Sequence, residues 1–129
     1  MYKRWLLPLT LAILAISLVI AGCSGSNETK NKERAEKLAY TTVTNEPTFV
    51  FDGIKDTLKL LDASKLPSGD GWVFTYTYNS AHAGYGDRTG MVVAEVITPH
   101  TAVITVQNYR VVSAVMDGRW DMILQKIIE

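Results

Sequence analysis

The sequence predicts an α+β domain: an N-terminal helix packed on an antiparallel meander of four or five strands, followed by a short C-terminal helix. Three observations lead there. From about Lys30 to Thr44, Ala35, Leu38, Ala39 and Val43 recur at helical spacing, with Lys32, Glu33, Glu36 and Lys37 on the other face. From Trp72 to Met116, short runs rich in valine, isoleucine, threonine and aromatic residues alternate with turn residues. After Asp117-Gly118, Trp120, Ile123, Leu124 and Ile127 return to helical spacing.

The chain opens with Lys3 and Arg4, then an apolar stretch from Leu6 to Ile20 interrupted by Pro8. That stretch is short for a permanent span, which needs ~20 apolar residues. Ala21 and Gly22 follow, then Cys23, the only cysteine, and Ser24-Gly25-Ser26 with no basic stop-transfer cluster. A positive start, an apolar middle and small residues before a boundary are the parts of a secretory signal. Residues 1–22 therefore read as a signal peptide, 23–31 as a small polar tether and 32–129 as a single α+β domain. Removing the signal takes Lys3 and Arg4 from the 13 basic residues, leaving 11 against 13 acidic ones, a net charge of −2. That balance argues against nucleic acid, which needs a basic footprint. With a single cysteine no disulfide can form within the chain, so packing alone holds the domain together.

Ile20-Ala21-Gly22-Cys23 resembles the lipobox of prokaryotic lipoproteins. The resemblance covers residues 1–23 and implies a diacylglyceryl group on Cys23 and cleavage just before it. Two acyl chains make a stable anchor at roughly 0.8 kcal/mol per buried CH₂. The membrane is then the first partner, reached through lipidated Cys23, with the domain outside the cytoplasm on the cell membrane or outer membrane. Ser24 is not the aspartate associated with inner-membrane retention, which favours the outer membrane in a two-membrane envelope.

Further along, Pro47 ends the first helix, because it cannot donate to the ladder and biases Glu46 from helical angles. Thr48 to Phe51 reads as short and extended, with a turn at Asp52-Gly53. Thr57 to Ser64 is ambiguous. Ile54, Leu58 and Leu61 suit a helix; Leu58 and Leu60 around Lys59 suit a strand. The strong turn Pro67-Ser68-Gly69-Asp70-Gly71 tips the reading toward strand. Trp72 to Asn79 is the clearest strand, with Trp72, Phe74, Tyr76 and Tyr78 on one face. A glycine-rich loop spans Ser80 to Gly90. Met91 to Ile97 reads as a second strand, turned at Thr98-Pro99-His100. Thr101 to Val106 and Arg110 to Met116 complete the meander around an Asn108-Tyr109 hairpin turn.

The helix-then-meander order resembles cystatin-like or PepSY-like modules in element order. The stretches His82 to Gly90, Ile97 to Val106 and Val111 to Met122 also resemble small secreted or membrane-anchored prokaryotic proteins to which no function attaches.

The densest polar cluster runs from His82 to Gly90. It places an imidazole, a phenol, a carboxylate and a guanidinium on a loop shaped by Gly84, Gly86 and Gly90. His82, Tyr85, Asp87 and Arg88 are therefore candidate ligand-binding residues, with Arg88 able to grip a carboxylate or phosphate. His100 and Trp120 join them if the hairpin ends converge. The plainer reading is a long hairpin connection whose charges are tied to backbone and neighbouring strands. A metal would draw on His82, Asp87, His100, Asp117 and Asp121, but no two histidines have metal-pair spacing. No cofactor is indicated. No Gly-x-Ser-x-Gly elbow or free thiol marks a hydrolase. Glu95, inside an apolar strand, or His82 would be the acid–base groups of a small enzyme. The aromatic ladder of Trp72, Phe74, Tyr76 and Tyr78 reads as core rather than a stacking platform. The expectation is a lipid-anchored envelope module that binds a protein or small ligand. The alternative is an inhibitor or modulator of an envelope enzyme.

Overall fold

The computed structural model describes residues 24–129, so Cys23 and the signal segment lie outside the described residues. The α+β class holds. Helix α1 (Ser24–Asn45) and the short helix α2 (Pro47–Asp52) precede six strands. These are β1 (Gly53–Lys65), β2 (Gly71–Ser80), β3 (Thr98–Gln107), β4 (Arg110–Met116), β5 (Trp120–Asp121) and β6 (Lys126–Ile127). They form one antiparallel sheet in sequential order, β1-β2-β3-β4-β5-β6. None of the described helices is long and apolar enough to cross a membrane.

The core lies between α1 and one sheet face. Ala35, Ala39 and Val43, one turn apart, are buried against Phe74, Tyr76, Tyr78, Ala102, Ile104, Val106, Ala114 and Met116. Two alanines on the contact stripe let the helix lie close, and the sheet supplies the large side chains. Successive strand residues point to opposite faces. Thr75 and Thr77 on β2, and Thr101, Val103 and Thr105 on β3, therefore point away from α1.

Several local expectations change. The 24–31 tether is the first two turns of α1. Those turns are tied across the sheet end by Glu28–Lys65 at 2.8 Å and by the Tyr109 hydroxyl donating to Asn31 at 2.8 Å. Pro47 does end α1, but it also starts α2, where a missing N–H has no intrahelical partner to lose. Thr48 to Phe51 is thus helical rather than extended. The ambiguous 57–64 segment is strand, and two irregularities in its pairing with β2 break a clean alternation, leaving Leu61 exposed.

Met91 to Ile97 is not a strand. β2 is already paired with β1 on one edge and with β3 on the other, from Gly71↔Gln107 to Ser80↔Thr98. No edge of β2 is left for residues 91–97, and β propensity without a partner strand contributes little. Thr98-Pro99-His100 is accordingly the start of β3 and not a turn. Pro99 pairs with Asn79 beyond the end of β4, whose pairing with β3 begins at Ala102↔Met116, so its missing N–H breaks no β3–β4 bond. The C-terminal segment is a β5–β6 hairpin rather than a helix. Asp121 accepts from the backbone of Ile123 and Leu124, and Gln125 takes a positive φ of 53°, which turns the chain back.

Candidate functional site

The turn-rich end of the domain, where α2, the 81–97 connection and the Asp117 turn meet, gathers most of the predicted polar residues. Asp52 is its hub. As the last residue of α2 it accepts from the Arg88 guanidinium, from the His82 backbone N–H at 2.7 Å, and faces His82 Nδ1 at 2.9 Å. Arg88 is 2 % exposed. It donates to the Gly86 carbonyl at 2.7 Å and lies 4.6 Å from the centre of the Phe51 ring. Its Nε has no partner among the described residues. Gly84, at φ 102°, leaves the space this side chain uses; a Cβ there would sit 2.8 Å from Arg88 Cδ.

A second network lies alongside. His100 Nδ1 is 2.7 Å from Asp117 Oδ2, and its Nε2 is 3.1 Å from Ser80 Oγ. Asp117 also accepts from the Thr101 backbone at 2.7 Å and from the Tyr85 hydroxyl at 3.0 Å. Tyr85 stacks on Trp120 with 9° between the ring planes. The Trp120 indole N–H donates to Glu46 at 3.0 Å, as does the Gln125 amide. Glu46 is itself buried and caps α2 by accepting from Thr48. The Thr48 hydroxyl takes the Gly86 N–H at 2.8 Å. Side chains from α2, β2, the loop, β3 and β5 thereby close on one another.

Ser80, His100 and Asp117 have the connectivity of a hydrolase triad. Access decides against that role. Ser80 is fully buried, His100 is 2 % exposed, and the serine hydroxyl donates to the His82 carbonyl at 2.7 Å. A nucleophile needs an open side toward its substrate. Here the serine is enclosed, and the three residues pin the end of β2 to the start of β3.

Of the six predicted binding residues, five are joined to these networks. Arg88 and His100 are buried, and Tyr85, Trp120 and His82 are partly buried and engaged internally. The expectation that Arg88 grips an incoming anion changes, because its guanidinium is held by Asp52. Asp87 stands apart: it is exposed and accepts from the backbone and hydroxyl of Thr89. Glu95 is exposed and outside any strand, so no burial acts on its carboxyl. Among the described residues no three His, Cys, Asp or Glu side chains group for a metal. Ser80, Glu46 and Asp52 were not legible as partners. Asp52 sits 36 positions from Arg88, and only the fold of α2 against the loop joins them.

The electrostatics give a pH prediction. Burial pushes the Asp117 carboxyl upward, but hydrogen bonds from His100, Thr101 and Tyr85 outweigh it and hold it below 3.8. Burial and the Asp117 contact push the Tyr85 phenol up to about 12. A depressed carboxyl contributes stability that is complete above its unfolded value and lost as pH falls through the folded one. Stability should therefore decline below about pH 4, and Asp117→Asn should flatten that decline. Urea midpoints measured between about pH 6 and pH 2 check this. Parallel curves for parent and variant would contradict it.

What the arrangement does chemically is rigidify. It fastens the loop at Ser80, His82, Tyr85, Gly86 and Arg88 and leaves the next segment, 91–97, outside. Met91, Val92, Val96 and Ile97 are 63, 105, 53 and 58 % exposed. Among the described residues, only Met91 and Val96 within that segment donate main-chain hydrogen bonds, to Arg88 and Ala94. Compared with protein-family models, with curated proteins and with solved structures, the chain matches none.

Proposed function

We propose that this chain is a lipid-anchored envelope interaction module that presents residues 91–97 to a protein partner. The observation that carries the reading is the run Met91-Val92-Val93-Ala94-Glu95-Val96-Ile97, with four large apolar side chains exposed next to a rigidly fastened loop. Contiguous exposed apolar residues mark interaction sites more often than single ones do. Free backbone donors on a β-prone segment suit strand addition to a partner's sheet edge, main-chain bonds giving affinity and alternate side chains specificity. Tyr85, Asp87 and Arg88 thereby move from contact residues to the platform and rim of the contact.

The anchor reading rests on Lys3, Arg4, the apolar stretch to Ile20 and the Ala21-Gly22-Cys23 boundary. Cys23 immediately precedes α1, and the 22 residues of that helix span about 33 Å. Residues 91–97 belong to the opposite end, beside α2. A lipid on Cys23 would thus hold the membrane at one end of the domain and offer the apolar segment at the other. The alternative, an inhibitor of an envelope enzyme, uses the same segment as a loop inserted into a cleft.

Photo-crosslinking side chains placed at Val92 and at Val112 in cells test the contact. Val112 is exposed on β4 and serves as a control. The expected result is a discrete protein adduct from Val92 only, lost when Val96→Asp is added without a change in melting temperature. Equal adducts from both positions, or none from Val92, would sink the proposal. Mass spectrometry of the mature N-terminus tests the anchor separately, and an unmodified Cys23 with Met1 retained would overturn it.

A further inference from the structure

The stripe of α1 that faces the sheet changes character along its length. Positions 27, 31, 35, 39 and 43 lie one above another on the helix. Val43, Ala39 and Ala35 are buried core, but the next two members are Asn31 and Asn27. Opposite them stand the β1–β2 turn, with Asp70, and the β3–β4 turn, with Asn108. Between helix and turns lies a cavity of about 450 Å³. That is within the range of small-molecule sites, ~300–1,000 Å³.

The lining has a definite chemistry. Its floor is apolar, Ala35 and Val106, both buried. Its rim is amide and carboxylate. The side chains of Asn27 and Asn108 have no hydrogen-bond partner among the described residues. Asn31 accepts from Tyr109 through Oδ1, which leaves its amide N–H groups to donate. Asp70 Oδ1 and Oδ2 each accept one bond, from Ser68 and from Gln107, and a carboxylate can accept about four. Lys65 and Glu28 both line the cavity and are paired with each other, so Asp70 is its uncompensated charge and an anion is disfavoured. A neutral ligand with hydroxyls for Asp70, an amide for the asparagines and a small apolar group for the floor fits this set.

We infer that this cavity binds a neutral acetamido sugar, the methyl resting on Ala35 and Val106 and the acetamido group pairing with Asn27 and Asn31. The inference is independent of the 91–97 contact, which lies at the other end of the domain. The sugar's source, an envelope polymer or a glycolipid headgroup, shares this chemistry.

The test uses the full chain in a detergent without a sugar headgroup, titrated with N,N′-diacetylchitobiose and followed by amide chemical shifts. Saturable binding with a dissociation constant on the order of 1 mM or tighter is expected, with shifts confined to the cavity lining, Asn27, Asn31, Ala35, Asp70, Val106 and Asn108 among it. Asn27→Ala, an exposed helix position, should weaken it about tenfold while leaving the melting temperature unchanged. Two controls separate the parts of the ligand. Maltose has hydroxyls without the acetamido group, and N-acetylalanine amide has the acetamido group without the ring. Equal binding of either control would overturn the assignment, as would absent chitobiose binding or shifts centred on residues 91–97. Reconstituted vesicles with and without an N-acetylglucosamine glycolipid then separate the sources, retention on the former only assigning the headgroup.

Discussion

Replacing Asp52 with alanine is expected to lower folding stability by about 3–5 kcal/mol, the range for breaking a buried ion pair from one side. The reason is the residue left behind. Arg88 is 2 % exposed, and Asp52 supplies the compensating charge in its hydrogen-bonding set. Removing Asp52 strands a buried guanidinium and also releases the His82 backbone N–H. The companion change, Arg88→Met, should restore part of the loss when combined with Asp52→Ala, because an apolar chain can pack on Phe51 without needing an anion. Asp87→Ala is the control: an exposed carboxylate bonded only to Thr89 should cost little. Urea unfolding of the four proteins checks this. Equal, small losses for Asp52→Ala and Asp87→Ala would mean that Arg88 is not held as described, and would return it to the pool of ligand-binding candidates.

Gly71→Ala is the second large effect, about 3 kcal/mol or more, at the upper end of overpacking costs. Gly71 pairs with Gln107 where β2 enters the sheet. A Cβ there would meet the Val106 carbonyl oxygen at 2.1 Å and Gln107 Cα at 2.9 Å. Both are main-chain atoms of a paired strand, so no side-chain rotation relieves the clash, and the β2–β3 end must open. Gly69→Ala separates space from conformation. Nothing lies within 4 Å of its added Cβ, but its φ of 80° strains any L side chain, at roughly 1–2 kcal/mol. Melting temperatures should therefore fall in the order Gly69→Ala, then Gly71→Ala, lowest last. A Gly71→Ala protein at least as stable as Gly69→Ala would show that the strands do not approach so closely. Because Gly71 also lines the acetamido-sugar cavity, its substitution is a test of fold and not of binding.

Much of the fold is legible in the sequence wherever side-chain periodicity meets a partner close in the chain. Ala35, Ala39 and Val43 announce the buried stripe of α1, and Phe74, Tyr76 and Tyr78 announce the inner face of β2. The Asn108-Tyr109 turn is equally plain, and both residues take the positive φ that a two-residue hairpin needs. What is not legible is competition. Met91 to Ile97 has the composition of a strand, and nothing local says that β1 and β3 already occupy both edges of β2. Trp120, Ile123, Leu124 and Ile127 have helical spacing, yet Trp120 is drawn to Glu46 and Asp121 caps a turn instead.

The polar cluster divides in the same way. Its membership on the loop, His82 to Arg88, can be read from residue types and glycines. Its meaning cannot, because the deciding partners Asp52, Ser80 and Glu46 come from elsewhere in the chain. A guanidinium facing solvent is a ligand site; the same guanidinium against Asp52 and Phe51 is a fastening. Of the glycines that suggest a shaped binding loop, Gly84 is the one that lets Arg88 turn inward, while a Cβ on Gly86 would face Trp120.

Native-state amide hydrogen exchange on the full chain tests most directly whether a fastened loop presents an open segment. Protection reports the free energy of opening at each amide. The His82 and Gly86 amides, bonded to Asp52 and Thr48, are expected to exchange nearly as slowly as those of β2 and β3. The amides of Val92, Val93, Glu95 and Ile97 are expected to exchange with little protection. Fast exchange at His82 and Gly86, or protection across 92–97 equal to that of the sheet in the isolated protein, would contradict that arrangement.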